Sequence, residues 1–171
     1  MPFFAPHAAL LCPNAPPSQV RDVARPRLPR KELDGQLPSV FEVYVGSSGG
    51  MSYGVWWDGS HLIYESFSRE YTDWQQSIIS PSRIQWRRFW QSMDRIGVWE
   101  WGQRHEPAGR FEPPSVVRVG VHWSLTLGHA SQQASSSGDS AGPGAADLDG
   151  DSTFALFLEA VSRLLGGRAF A

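Results

Sequence analysis

From Val117 to Leu127 every odd position is apolar and every even position is polar or glycine. Val117, Val119, Val121, Trp123, Leu125 and Leu127 alternate with Arg118, Gly120, His122, Ser124 and Thr126. A period of two belongs to a β-strand with one covered face and one open face, and no helical period fits it. The same alternation, shorter, sets Phe41, Val43 and Val45 against Glu42 and Tyr44 and predicts a first strand beginning near Val40. Two aromatic and β-branched runs, Tyr53–Trp57 and Leu62–Glu65, flank Asp58-Gly59. That dipeptide favours a type I′ hairpin turn, whose two central residues need positive φ. Asp58 then reads as a turn residue rather than a catalytic acid. Trp56 and Trp57 are neighbours, so a strand sends them to opposite faces and one indole lies away from the main core.

Two stretches change to a helical period. Trp86, Phe89, Trp90, Met93 and Ile96 form one apolar stripe. Ser80-Pro81 predicts its start, and Gly97 its left-handed end. The opposite side carries Arg83, Arg87, Arg88, Asp94 and Arg95. A second helix is predicted over Ser152–Leu165, capped by Ser152 or Asp151 and stopped by Gly166-Gly167, with Phe154, Phe157, Leu158, Val161, Leu164 and Leu165 facing inward. Between the helices, Val98-Trp99-Glu100-Trp101 alternates again. It predicts a strand with Trp99 and Trp101 on one face and Glu100 on the other.

The remaining stretches lack a period. Residues 66–79 are irregular, with Trp74, Ile78 and Ile79 expected to fold back onto the core edge. Residues 128–150, rich in Ser, Gly, Ala, Gln and Asp, predict a long mobile loop. Residues 1–38 contain Pro13, Pro16, Pro17, Pro26, Pro29 and Pro38, which remove donors and fix φ. They read as a disordered Pro/Arg-rich arm or leader outside the fold. The expected architecture is a single two-layer α+β domain over 39–168. An antiparallel sheet of about four or five strands carries two helices on one face, in the order β-β-β-α-β-β-α. Its core should hold Phe41, Val43, Trp86, Phe89, Trp90, Met93, Trp99, Val119, Val121, Trp123, Leu125, Phe157, Val161 and Leu164.

Composition narrows the classes of function. A net charge of -2 gives no global field toward nucleic acid or anionic membrane. Nearly all the basic charge is arginine, which GC-rich coding explains most simply, and Lys31 is the only lysine. Cys12 is the only cysteine, so no intrachain disulfide can form. No apolar run approaches the ~18 residues of a membrane span, so no membrane partner and a cytoplasmic location are expected. The eight tryptophans are the unusual feature. Each builds core from few residues or lines a binding surface.

Candidate chemistry gathers on the open sheet face, where the alternation places Glu42, Tyr44, Glu65, Glu100, Arg118 and His122. Glu42, Glu100 and His122 could serve acid–base or metal-dependent hydrolysis. However, the outward face of an antiparallel sheet is polar in any case, and no H-x-E or H-E-x-x-H spacing supports a metal. No cofactor is expected. Asp147–Asp151 fails the calcium-loop pattern, since its sixth and twelfth positions are Ser152 and Leu158. Gly46–Gly50 lacks the Lys-Ser/Thr and helix of a phosphate loop. No serine stands in a G-x-S-x-G context.

The reading that remains is a small non-enzymatic protein-binding or regulatory protein, compatible by analogy alone with a bacterial immunity or accessory protein. Its partner would be another protein, met through Trp56, Trp57, Arg83, Arg87 and Arg88. A hydrolase on the polar face is the first alternative. Nucleic-acid binding through Arg83, Arg87, Arg88 and Arg95 is the second.

Overall fold

The chain lays down a four-stranded meander first: β1 (Val40–Ser47), β2 (Met51–Trp57), β3 (Leu62–Ser68) and β4 (Gln75–Ile79). Helix α1 (Arg83–Ile96) follows, then a 3-10 turn (Val98–Glu100) and a two-residue strand β5 (Arg104–His105). A hairpin of β6 (Val121–His129) and β7 (Gln132–Asp139) precedes α2 (Ser152–Leu164). The computed structural model describes residues 37–47, 49–68, 73–106, 120–144 and 151–170. Residues 1–36, Val117, Arg118 and Val119, and most of the Asp147–Asp151 stretch lie outside them.

One mixed sheet of seven strands runs β4-β3-β2-β1-β6-β7-β5. The class is α+β as expected, but the sheet has seven strands rather than four or five, and the order is β-β-β-β-α-β-β-β-α rather than β-β-β-α-β-β-α. Every pairing is antiparallel except β5 on β7. The central strand β1 pairs on one side with β2 (Val43↔Val55) and on the other with β6 (Val43↔Leu125). Opposed residues share a face, so Phe41, Val43 and Val45 line up with Leu127, Leu125 and Trp123. Both helices cover that face. Phe41 meets Trp86 and Phe89 of α1 at 5.7 and 5.4 Å between ring centroids, and Trp123 meets Phe154 of α2 at 4.8 Å.

An aromatic chain joins the layers. Trp57 stands edge-on to Trp86 at 5.8 Å, Trp86 stacks on Trp90 at 5.6 Å, and Trp90 stacks on His129 at 4.3 Å. Offset and edge-to-face pairs of this kind add about 0.5–1.5 kcal/mol each beyond their burial. The tail packs on the same helix-covered face: Phe170 is buried beside Tyr53, and Tyr64 donates from its hydroxyl to the Ala169 carbonyl at 2.9 Å.

Several local expectations are corrected. Gln75–Ile79 is a strand, because its backbone pairs with β3 from Leu62↔Ile79 to Ser66↔Gln75. Gln132–Asp139, read from composition as loop, pairs with β6 over its whole length. Its inward residues Ala134, Ser136 and Gly138 are small and buried, and at Gly138 the space is taken by its cross-strand neighbour: a Cβ there would run into the Trp123 indole and the Ala141 carbonyl. The Val98–Trp101 stretch is a 3-10 turn rather than a strand. Gly97 at φ 67° redirects the chain there, and Trp99 Nε1 donates back to Asp94 at 2.8 Å. Trp99 and Val121 are half-buried, not fully buried.

Helix α1 is capped by Ser82, not Ser80. Ser82 has Gln85 three residues on and forms a capping box: its hydroxyl accepts from the Gln85 amide, and the Gln85 carboxamide accepts from the Ser82 amide at 2.8 Å. The hairpin turn is shifted by one residue. Asp58 pairs with His61 through a backbone bond of 3.1 Å, so Gly59 and Ser60 are the central residues, and of these only Gly59 has positive φ.

Candidate docking surface

The helix-free face of the sheet is built by cross-strand rows. Register places Ile78 beside Ile63, Ile63 beside Trp56, Trp56 beside Glu42, and Glu42 beside Thr126. One row along stand Gln76, Glu65, Gly54, Tyr44 and Ser124. The β4 end of the first row is apolar. Ile78 is 66% exposed, and Trp74, just before β4, is 52% exposed. Trp56 and Ile63 are half-buried. A Cβ on Gly54 would meet nothing within 4 Å, which leaves a dent with Tyr44 and Glu65 opposite on either side.

This patch reaches an unprotected edge. Among the described residues strand β4 pairs only with β3, and no other described strand meets its outer N–H and C=O groups. Edge strands are commonly blunted by charge, proline or bulges. Gln-Gln-Ser-Ile-Ile has none of these between Gln75 and Ile79. The only nearby carboxylate in the second row, Glu65, accepts from Gln76 Nε2 at 2.7 Å.

The adjacent tryptophans separate as the alternation predicts. Trp57 turns inward onto Trp86, while Trp56 lies on the open face. Trp57 is therefore a core residue, and only Trp56 remains in the surface.

The polar candidates do not converge. Glu42 is exposed on β1 opposite Thr126, whereas His122 lies four residues along β6, about 13 Å away at strand rise. Glu100 sits in the 3-10 turn, off the sheet. His122 faces Asp139 instead, with Nδ1 at 3.3 Å from Oδ1, and both side chains are well exposed. Among the described residues no group of three His, Cys, Asp or Glu side chains is placed to hold a metal ion. Asp58 acts through local structure. Slight burial works against its charge, but bonds from the amides of His61 and Ser60, both 2.7 Å, outweigh this and hold its carboxyl below the usual range.

Arg83, Arg87 and Arg88 all lie on the exposed side of α1 and belong to a different surface. The apolar row was half visible in the sequence. Ile63 and Trp56 alternate with inward residues, but Ile78 joins them only because β4 pairs with β3, and Gly54 gave no signal. Among the described residues no helix is long and apolar enough to cross a membrane. Comparison of the chain with known protein families, with curated proteins and with solved structures finds no match.

Proposed function

We propose that the protein is a small protein-binding module that receives an extended segment of its partner along β4 and across the Trp56–Ile63–Ile78 row. The observation that carries the reading is this apolar row, which runs on a face that no described helix covers to a strand edge that no other described strand meets. A bare edge supplies main-chain hydrogen bonds, and alternate side chains of the added strand select the face. Because Gln75–Ile79 carries no charge, the best partner segment is uncharged and β-prone. Half-buried Trp56 is the anchor, as tryptophans are at interface hot spots.

The test is capture of the partner on tagged wild-type protein, followed by titration of the purified pair against Ile78→Lys and Trp56→Ala. Each variant should keep the wild-type circular-dichroism spectrum and weaken binding at least ~10-fold. Unchanged affinity in both would place the contact elsewhere. Sedimentation of the protein alone separates partner binding from edge-to-edge pairing of two copies.

A further inference from the structure

The outer groove between α1 and α2 has no part in the sheet-face reading. We infer that it binds a small phosphate-rich anion, gripped by Arg88 and Arg95 from α1 and Arg163 from α2. The groove is open to solvent and offers about 670 Å³, within the range of sites for small organic ligands and far larger than a single ion needs. Gln85, Arg88, Ser92 and Arg95 follow helical spacing and form one wall. Ala160 and Arg163 belong to the other. The buried Ala160 is what leaves the space open.

The charge arrangement has no internal explanation. Arg88 has Ile84 and Ser92 four residues away on either side, and Arg95 has Gln91 and Trp99. Neither arginine therefore has the acidic i±4 neighbour that usually balances an exposed helical cation. Among the described residues neither lies within salt-bridge reach of a carboxylate. Asp94, the only acidic residue of α1, accepts from the Trp99 indole. Arg163 shares Glu159 at 2.5 Å. The groove thus collects positive charge from two helices with one carboxylate beside it.

Chemistry selects the ligand. The seven-residue step from Arg88 to Arg95 spans about 10 Å of helix, so one small ion cannot be centred on both. Guanidinium forks fit carboxylate and phosphate alike. Three arginines less Glu159 leave a net charge of +2; a phosphate carries about -1.5 to -2, so one or two phosphate groups match it where a carboxylate ligand would need two or more. Neutral contacts are present too. Gln85 spends its oxygen on Ser82 and keeps its Nε2 hydrogens to donate, and Ser92 donates to the Arg88 carbonyl at 3.0 Å, leaving its oxygen to accept.

The experiment is calorimetric titration of the full chain with tripolyphosphate, and with citrate as a less highly charged carboxylate control. Saturable binding of tripolyphosphate, at least ~10-fold tighter than citrate and at least ~10-fold weakened by Arg88→Gln or Arg95→Gln, is expected. Arg87→Gln removes the same charge from α1 outside the groove and should change affinity less than ~2-fold. Melts of each variant confirm folding, since glutamine keeps helix propensity. Absence of saturable binding, an equal loss in Arg87→Gln, parity of citrate, or tighter binding of a single-stranded oligonucleotide would each overturn the assignment. Inositol hexakisphosphate against phosphatidylcholine vesicles bearing phosphatidylinositol bisphosphate then distinguishes a free ligand from a lipid headgroup.

Discussion

The indole of Trp123 on β6 donates from Nε1 to the carbonyl of Ala141 at 2.8 Å, inside the layer between sheet and α2. Ala141 is fully buried, so no water can replace this donor. Trp123→Ala should cost about 3–5 kcal/mol through the cavity and the orphaned carbonyl. Trp123→Phe keeps most of the ring and should cost about 1–3 kcal/mol, mainly the unsatisfied acceptor. Urea unfolding of the two variants measures the difference, and a Trp123→Phe variant as stable as wild type would show that the bond adds nothing.

Trp56 and Trp57 are expected to behave oppositely. Trp57→Ala removes the edge-on contact with Trp86 and should lower stability by about 2–3 kcal/mol, less than a fully buried tryptophan would. Trp56→Ala lies on the open face and should stay within about 1 kcal/mol of wild type. Denaturation midpoints in the reverse order would exchange their faces.

Gly54 offers a change that separates stability from binding. Its backbone φ is ordinary and a Cβ meets only open space. Gly54→Ala should therefore raise stability by about 0.5–1 kcal/mol, since alanine restricts the unfolded chain more than glycine. Filling the dent further with Gly54→Val should weaken partner binding without lowering the melting temperature. A destabilised Gly54→Ala would mean that the dent is occupied.

The pH dependence of the hairpin follows from Asp58. Its carboxyl titrates below its usual value in the folded chain, so its ionised form adds stability above the unfolded pKa near 4, and that contribution disappears as pH falls through the folded value. With the side chain 39% exposed the effect is small. Melting temperature followed from pH 7 downward should fall less steeply for Asp58→Asn than for wild type, with the curves converging in acid as the wild-type carboxyl is neutralised.

Legibility followed side-chain contrast. Strands β1, β2, β3 and β6 and both helices were readable because large apolar residues recur with the period of the element, as Phe41, Val43 and Val45 do. Strand β7 was not. Gln132–Asp139 consists of loop-forming residues, and its strand state comes from backbone pairing with β6 while Gly138 yields space to the Trp123 indole. Strand β4 was hidden because an edge strand covered on one side shows Ile78 and Ile79 together rather than alternating. Val98–Trp101 misled in the opposite direction: its alternation is real, but the left-handed Gly97 set the chain turning. The site divided the same way. Trp56 was visible, whereas the groove needed α1 and α2 side by side before Arg163 could stand with Arg88 and Arg95.

The place of β1 in the middle of the sheet bears on how the chain is made. Synthesis delivers β1 through β4 and α1 together, so that half can assemble by neighbour-to-neighbour pairing while the protein is still being extended. The other edge of β1 must wait for β6, since Phe41 meets Leu127 only after roughly 85 further residues have been added, on the order of ten seconds of translation. Until then the nascent domain has two sticky borders, β4 and the bare side of β1, and the second is sealed only when the final hairpin emerges.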